Sequence, residues 1–562
     1  MINKTSFIKF IDEILIEKNH KWLTFISVIV FLFFTTNHQF AYLNMGYDYF
    51  LQSISSISFV NGHGFSTPII NPNNVSNINY ETNGLWPIGY SLIAVPFLLL
   101  TNNDAILTYR ILFIISTSFM LLVSYRLMLL LKKEIDHRYF FIAILFWAVI
   151  YFPFKNIGVS DILSLSFFLL ALIYFIKIIN LYKEDKVKTI HLISLGIISF
   201  LPAFFRFAYY PICVVIPGTM FFLFYHQKTL FKYSIITGIT TAICILGQII
   251  FMRVYFSGGS NVGDVIPEKT QLFYFSNLWA YDAIFLNAFV DDAIISRLLG
   301  SGLSSNHLSS LFFSLSLIIS IIIIGGLLIL IKKKIKDKYD KLSPIYLIVL
   351  LGFISSIITI LFLSFISIWY PSFALTGEQG IRTWVMFSRY HALPMYFFQL
   401  FLLMFLFANK TLTIKHLKKI SGALLLLSMM INGYYWLIHE YKFQTYKPTD
   451  ELADAKKVYD YLKDRKKENT TLIYVSTKRK TENEFIENNF SGMMALKSIN
   501  TANYYALPNG IQEKKDIEYI VAISKGDTII NNNIKQLSKS EKIDTLFYSS
   551  SLNKNILHIS AK

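Results

Sequence analysis

Charge is scarce in this chain. Asp, Glu, Lys and Arg make up only 15% of its 562 residues, where a soluble domain carries about 25%. Cysteine is nearly missing: Cys213 and Cys244 are the only two, and both fall inside apolar runs. That excludes a disulfide framework and a cysteine metal motif. Also absent are a P-loop, a Gly-x-Ser-x-Gly elbow with partners and a dinucleotide fingerprint in a βαβ unit. The histidines are scattered without ligand spacing. No repeat of the solenoid or inverted-transporter kind is present.

What the chain has in excess is apolar sequence, 54% hydrophobic and 16% aromatic, with mean hydropathy +0.49. A polytopic membrane protein is the class that fits. The net charge of +17 is no sign of nucleic acid, because the Lys and Arg residues gather in short loops between apolar spans, as membrane topology demands. The wealth of isoleucine, lysine and asparagine fits an AT-rich bacterial coding sequence, hence a bacterial cytoplasmic (inner) membrane.

A first span is predicted at about 22–43. Its purely apolar part is as short as a signal-peptide core, but no small-residue cleavage site follows, so it reads as retained. After Lys21 the next Lys or Arg is Arg110, which places the first loop outside. Ten further spans are predicted at about 105–131, 139–154, 161–181, 189–205, 208–225, 233–254, 304–331, 344–369, 387–408 and 420–438, or about eleven in all. The loops at 132–138, 182–188, 226–232, 332–341 and 409–419 are short and basic, hence cytoplasmic. Those at 42–104, 155–160, 255–303 and 370–386 carry few cations for their length, hence lie outside.

Within the first loop, Tyr47, Phe50, Leu51, Ile54 and Ile57 recur at helical spacing, with Ser53, Ser55, Ser56 and Ser58 on much of the other face. This predicts a helix lying in the membrane interface. Residues 71–84 read as a structured loop rather than a hairpin. Residues 86–100 are too short an apolar run to span and read as a second interfacial or re-entrant helix. After residue 438 the composition turns charged. A helical stretch capped by Thr449 precedes β-like runs at 471–476, 519–524, 545–550 and 556–560. The expected fold is therefore mainly α: a transmembrane bundle over 1–439, then a small soluble α/β domain over 440–562. An odd number of spans puts that domain outside.

Charged residues close to lipid are costly and mark candidate sites. Asp48 heads the interfacial helix, where it serves either chemistry or the helix dipole. Asp161 sits at the outer mouth of the fourth span, either as a site acid or in the first turn of a helix capped by Ser160. Arg206, amid aromatics where two spans meet outside, must snorkel or pair, with a lipid phosphate, Asp48 or Asp161. Arg389 heads the tenth span, followed by Tyr390 and Pro394. His63, Glu81 and Arg382 are outer-loop residues able to line the same site or simply to be solvated.

The order Asp48, amphipathic helix, Gly62-His63-Gly64, then Pro87-Ile88-Gly89-Tyr90, placed between the first two spans, resembles the first outward loop of the GT-C superfamily. That group includes protein O-mannosyltransferases and the lipid A aminoarabinose transferases. Arg389-Tyr390 with Pro394 is similar to the family's late-span motif. The resemblance implies a glycosyltransferase that moves a monosaccharide from a polyprenyl-phosphate donor to a lipid, glycan or protein acceptor on the outer face. It implies Asp48 as the base, with Asp161 orienting the acceptor or sharing that work. Arg206, Arg389 and Tyr390 would hold the donor phosphate. Unlike some members, this chain has no Lys or Arg at 42–104 for that phosphate. No cofactor is required, and a divalent metal is left open. The rival class is a transporter or flippase of lipid-linked sugars, which calls for charges near mid-membrane and broken spans. A membrane sensor with a ligand-binding C-terminal domain is a third reading, which leaves the Asp48 loop unexplained.

Overall fold

The computed structural model describes residues 47–71, 74–82, 87–131, 158–224, 228–255, 344–369, 450–463, 471–476, 500–503, 517–523, 528–537, 541–549 and 552–561, with scattered single residues elsewhere. The predicted spans at 139–154 and 304–331 lie outside the described residues. Those at 22–43, 387–408 and 420–438 are represented by single helical residues only. The chain forms two compact units, one made of residues 1–38, 112–251 and 262–440, the other of 39–111, 252–261 and 441–562.

The first unit is helical. Among the described residues, three helices are long and apolar enough to cross a membrane: α3 (Ala105–Leu130), α4 (Val159–Lys183) and α7 (Lys228–Tyr255). Between α4 and α7 lie α5 (Thr189–Phe205) and α6 (Val215–Phe224). A further helix, α8 (Pro344–Trp369), follows. The hydrophobic periods of the sequence delimit these helices to within a few residues. The predicted span at 208–225 differs. It is broken into a 3₁₀ turn at Phe207–Tyr209, a single turn at Tyr210–Cys213, and α6. Pro211 at the start of the short turn explains part of this, since proline suits a first turn and not a helix interior.

On α7, Ile235, Ile239, Ile243, Leu246, Ile250 and Val254 are exposed, while Ser234, Thr237, Thr241 and Gln248 are buried. This inverts the soluble pattern. Such a surface is stable where the surrounding solvent is hydrocarbon.

The second unit joins the first loop to the C-terminal segment. The loop contains α1 (Tyr47–Val60), then strands β1 (Ser66–Asn71) and β2 (Asn74–Thr82), then α2 (Gly89–Leu100). β1 and β2 pair antiparallel, with Ser66 opposite Thr82 and Ile70 opposite Ile78. The segment expected to be a loop is therefore a hairpin. Ile69, Ile70, Val75, Ile78 and Tyr80 carry the β preference, outweighing the asparagines that read as loop. The serine face of α1 is corrected as well: Ser53, Ser55, Ser56 and Ser58 are buried rather than exposed. Small hydroxyls let α1 and α2 approach closely and bond to each other's carbonyls.

The C-terminal part comprises α9 (Asp450–Lys463), β3 (Thr471–Ser476), β4 (Asn500–Asn503), β5 (Ile517–Ile523), α10 (Thr528–Leu537), β6 (Glu541–Ser549) and β7 (Lys554–Ala561). The sheet order is β4-β3-β5-β7-β6. β3 is parallel to β4 and β5, whereas β7 is antiparallel to β5 and β6. The short β4 and the helix α10 were not read from the sequence. One sheet face buries Ile473, Val475, Tyr519, Val521 and Ile559 with Ile534 of α10. Neighbouring residues on a strand face opposite ways, so His558 lies on the other face, where Tyr461 of α9 meets it. Helices thus cover both faces of the sheet.

β1 of the hairpin packs beside β4. The hairpin and the C-terminal sheet thus pack together within this second unit.

Candidate functional site

Among the described residues of the helical unit, a buried ion pair joins two of the predicted residues. Asp161 stands at the third position of α4, and its Oδ2 accepts the backbone N–H of Gly158, the N-cap, at 3.2 Å. This is the return half of a capping box, with glycine and not Ser160 as the cap. Arg206 is the residue that ends α5, with extended backbone angles. Its Nε lies 2.7 Å from Asp161 Oδ1, with the carboxylate fully buried and the guanidinium 8% exposed. The Nε–Oδ1 approach is a charge contact off the hydrogen-bonding axis.

Two bonds to one carbonyl explain why the two meet. Pro202 sits inside α5, and its carbonyl accepts both the Arg206 N–H at 3.2 Å and the Ser164 hydroxyl at 2.9 Å. Ser164 is one turn beyond Asp161 on α4. One face of α4 thus fastens the end of α5 twice, once through a hydroxyl and once through a charge. A buried pair of this kind adds little net stability, but losing one partner costs about 3–5 kcal/mol, because the other charge is left unpaired. Tyr209, buried, follows Arg206 in the 3₁₀ turn.

The loop unit carries the other predicted residues. Asp48 is the second residue of α1. The first turn of α1 is fixed by a buried tyrosine cluster: Tyr49 lies 5.4 Å from Tyr90 and 5.2 Å from Tyr109, ring centre to ring centre. Tyr90 and Ser53 share a hydrogen bond at 3.2 Å. Burial pushes the Tyr90 hydroxyl far above the ordinary tyrosine range, with the Ser53 bond acting in the opposite direction. Ser56 donates to Ser91 O at 3.1 Å, and Ser91 donates to Gln52 O at 3.0 Å. Sequence reading missed these residues; the clue was the density of small hydroxyls in α1 and at Ser91.

At the far end of α1, Gly62 and Gly64 turn the chain with φ of +84° and +69°, angles at which other residues are strained. His63, between them, stacks on Tyr80 with centroids 3.7 Å apart. Glu81 is exposed on β2, paired in register with Thr67. His63 and Glu81 therefore belong to the hairpin end of the loop. Arg382, Arg389 and Tyr390 lie outside the described residues.

No protein-family model matches the chain, and no curated protein matches it.

Among the described residues, no group of three or more His, Cys, Asp or Glu side chains is placed to hold a metal ion. What the helical unit offers is a guanidinium held by a buried carboxylate at the end of a helix. It is oriented by that carboxylate and adjoins aromatic side chains. Such a fork suits a phosphate or carboxylate headgroup, provided the ligand competes with Asp161 or adds to the pair.

Proposed function

We propose that the chain is a membrane glycosyltransferase of GT-C type. It transfers a monosaccharide from a polyprenyl-phosphate donor to a lipid, glycan or protein acceptor on the outer face of a bacterial cytoplasmic membrane. The observation that carries this reading is Arg206, set by Asp161 at the end of α5: a buried cation of the type that receives a departing lipid phosphate. The Asp48–Tyr90 pattern, with its two packed helices and Gly-His-Gly turn, supplies the second support.

In this reading the leaving group is a phosphate and departs without an acid. Positive charge must meet it as the glycosidic bond breaks, which is the work assigned to Arg206, with Arg389 and Tyr390. A carboxylate must accept the proton of the attacking hydroxyl, which is the work assigned to Asp48. Asp161 holds Arg206 in place, which changes its assignment from acceptor orientation to positioning. The outer side of the membrane is assigned to the first loop and C-terminal domain from the absence of Lys and Arg between Lys21 and Arg110,.

The rival transporter reading draws on the same ion pair, because buried charges in a bundle also mark transport paths, and on the broken helix at Phe207–Phe224. One experiment separates them. Purified protein is incubated with a panel of polyprenyl-phosphate sugars and assayed for free polyprenyl phosphate. Release that depends on an acceptor supports the transferase. Transbilayer movement of intact donor without release overturns it.

A further inference from the structure

α5 and α7 run parallel in fixed register. Thr237 of α7 donates to Leu192 O of α5 at 3.5 Å, and Thr241 donates to Gly196 O at 3.1 Å, each bond joining residues 45 apart. The contact is close because position 196 has no side chain. A Cβ there would fall 2.6 Å from the Thr240 Cβ and 2.8 Å from the Thr237 carbonyl oxygen. Ser199 and Ala203 continue the face of α5 that carries Leu192 and Gly196, and Cys244 and Gln248 continue the face of α7 that carries Thr237 and Thr241, at the spacing of a helix face. Extending the offset of 45 residues would bring Ser199 level with Cys244 and Ala203 level with Gln248.

Two residues of this seam are out of balance. Gln248 is 6% exposed and Ser199 is 3% exposed. Among the described residues, neither the carboxamide nitrogen nor the carboxamide oxygen of Gln248 has a hydrogen-bond partner, and neither does the Ser199 hydroxyl. Other helix hydroxyls satisfy themselves on the carbonyl four residues back, as Ser166, Ser355, Ser356 and Thr359 do. Gln248 has no such local option. An unpartnered amide in a membrane bundle is costly, and leucine in its place would cost nothing of that kind. Its presence points to a ligand that completes it.

We propose that the α5–α7 seam at Ser199 and Gln248 binds hydroxyl groups of the donor sugar. This rests on the transferase reading and deepens it. The chemistry is neutral: an amide and a hydroxyl each both donate and accept, which matches sugar hydroxyls, while a bare phosphate calls for cations. The place agrees. On that extended offset Gln248 comes level with Ala203, three residues or about 4.5 Å along the axis from Arg206, where the same reading puts the phosphate that carries the sugar.

The test uses the full-length protein in detergent and follows its melting temperature. Two probes are added separately, a polyprenyl-phosphate monosaccharide and the same polyprenyl phosphate without sugar. The wild type should be stabilised more by the sugar-bearing lipid. Gln248→Leu, Gln248→Met and Ser199→Ala should each melt higher than wild type without ligand, because an unpaired polar group has been removed. Each should bind the sugar-bearing lipid roughly two- to tenfold more weakly and the bare lipid unchanged. An undiminished preference for the sugar-bearing lipid in all three variants overturns this proposal while leaving the transferase reading intact. Lower ligand-free melting in all three, with no change in lipid binding, also overturns it and assigns the seam to a structural water only. No response of the wild type to either lipid overturns both readings.

Discussion

Arg206 Nε lies 2.7 Å from Asp161 Oδ1 inside the helical unit, and the two residues stand at facing ends of α4 and α5. Their charges are interdependent. Asp161→Leu or Arg206→Met alone should destabilise the protein by about 3–5 kcal/mol, while the two combined should recover most of that loss. Thermal unfolding in detergent, arranged as a double-mutant cycle, measures it. Additive losses would mean that the pair is not coupled. From sequence alone Arg206 is expected to govern donor binding more than fold; its burial with Asp161 makes it matter for both.

Asp48→Asn should reduce sugar transfer by about 10²–10⁴-fold while leaving the melting temperature near that of wild type. Asparagine keeps the size and still serves a helix start, but an amide takes up no proton near neutral pH. Near-normal turnover would remove Asp48 from the mechanism.

Gly196→Ala should destabilise the α5–α7 crossing by about 1–3 kcal/mol, and Gly196→Leu by more. The obstacle includes backbone, the Thr237 carbonyl oxygen at 2.8 Å, which cannot swing aside. Gly218→Ala, where an added Cβ meets nothing within 4 Å, is the control. Equal melting shifts in the two alanine variants would contradict the close crossing.

The C-terminal domain should show a mild acid response. The Lys542 ammonium, 3.1 Å from Asp544 Oδ2, holds that carboxyl below its ordinary range, with the Tyr461 hydroxyl and His558 assisting. A depressed carboxyl contributes stability that is present above its unfolded value, about 3.9, and is lost as pH falls through the lower folded value. Hydrogen exchange of β6 in full-length protein should therefore speed up in Asp544→Asn relative to wild type at neutral pH, with the difference vanishing in strong acid. A difference that persists there would mean that the aspartate acts through something other than its charge.

Reporter fusions should read cytoplasmic at Lys338 and external at Asn469. A cytoplasmic reading at Asn469 would move the first loop with it, since β1 packs beside β4. The candidate site would then face nucleotide-bearing cytosol.

Much of this protein is legible along the chain, because lipid imposes a one-dimensional rule. A run of about 20 apolar residues must be helical to satisfy its own backbone, so α3, α4, α7 and α8 are predicted with nearly the bounds observed. Four strands of the C-terminal sheet, β3, β5, β6 and β7, are predicted for a similar reason: their β-favouring composition is local. The Asp48 helix and the short helix that follows it are also set by local period and length.

Tertiary structure decided what depends on neighbours. Ser53, Ser55, Ser56 and Ser58 look like a solvated face in sequence and are buried, because α2 supplies carbonyls and a tyrosine to receive them. Residues 71–84 look like a loop in sequence, yet Asn74–Thr82 within them forms half of a hairpin, because β1 supplies the missing partner. Nothing in the spacing of Asp161 and Arg206 says that they meet. That follows from the last turn of α5, where the Pro202 carbonyl accepts the Ser164 hydroxyl of α4. Nothing in the sequence marks Gln248 as unpaired, since a lone glutamine in a span is usually bonded to a neighbour. Helix content is determined by each segment's own backbone and solvent, whereas the partner of a polar side chain is determined by whichever segment packs against it.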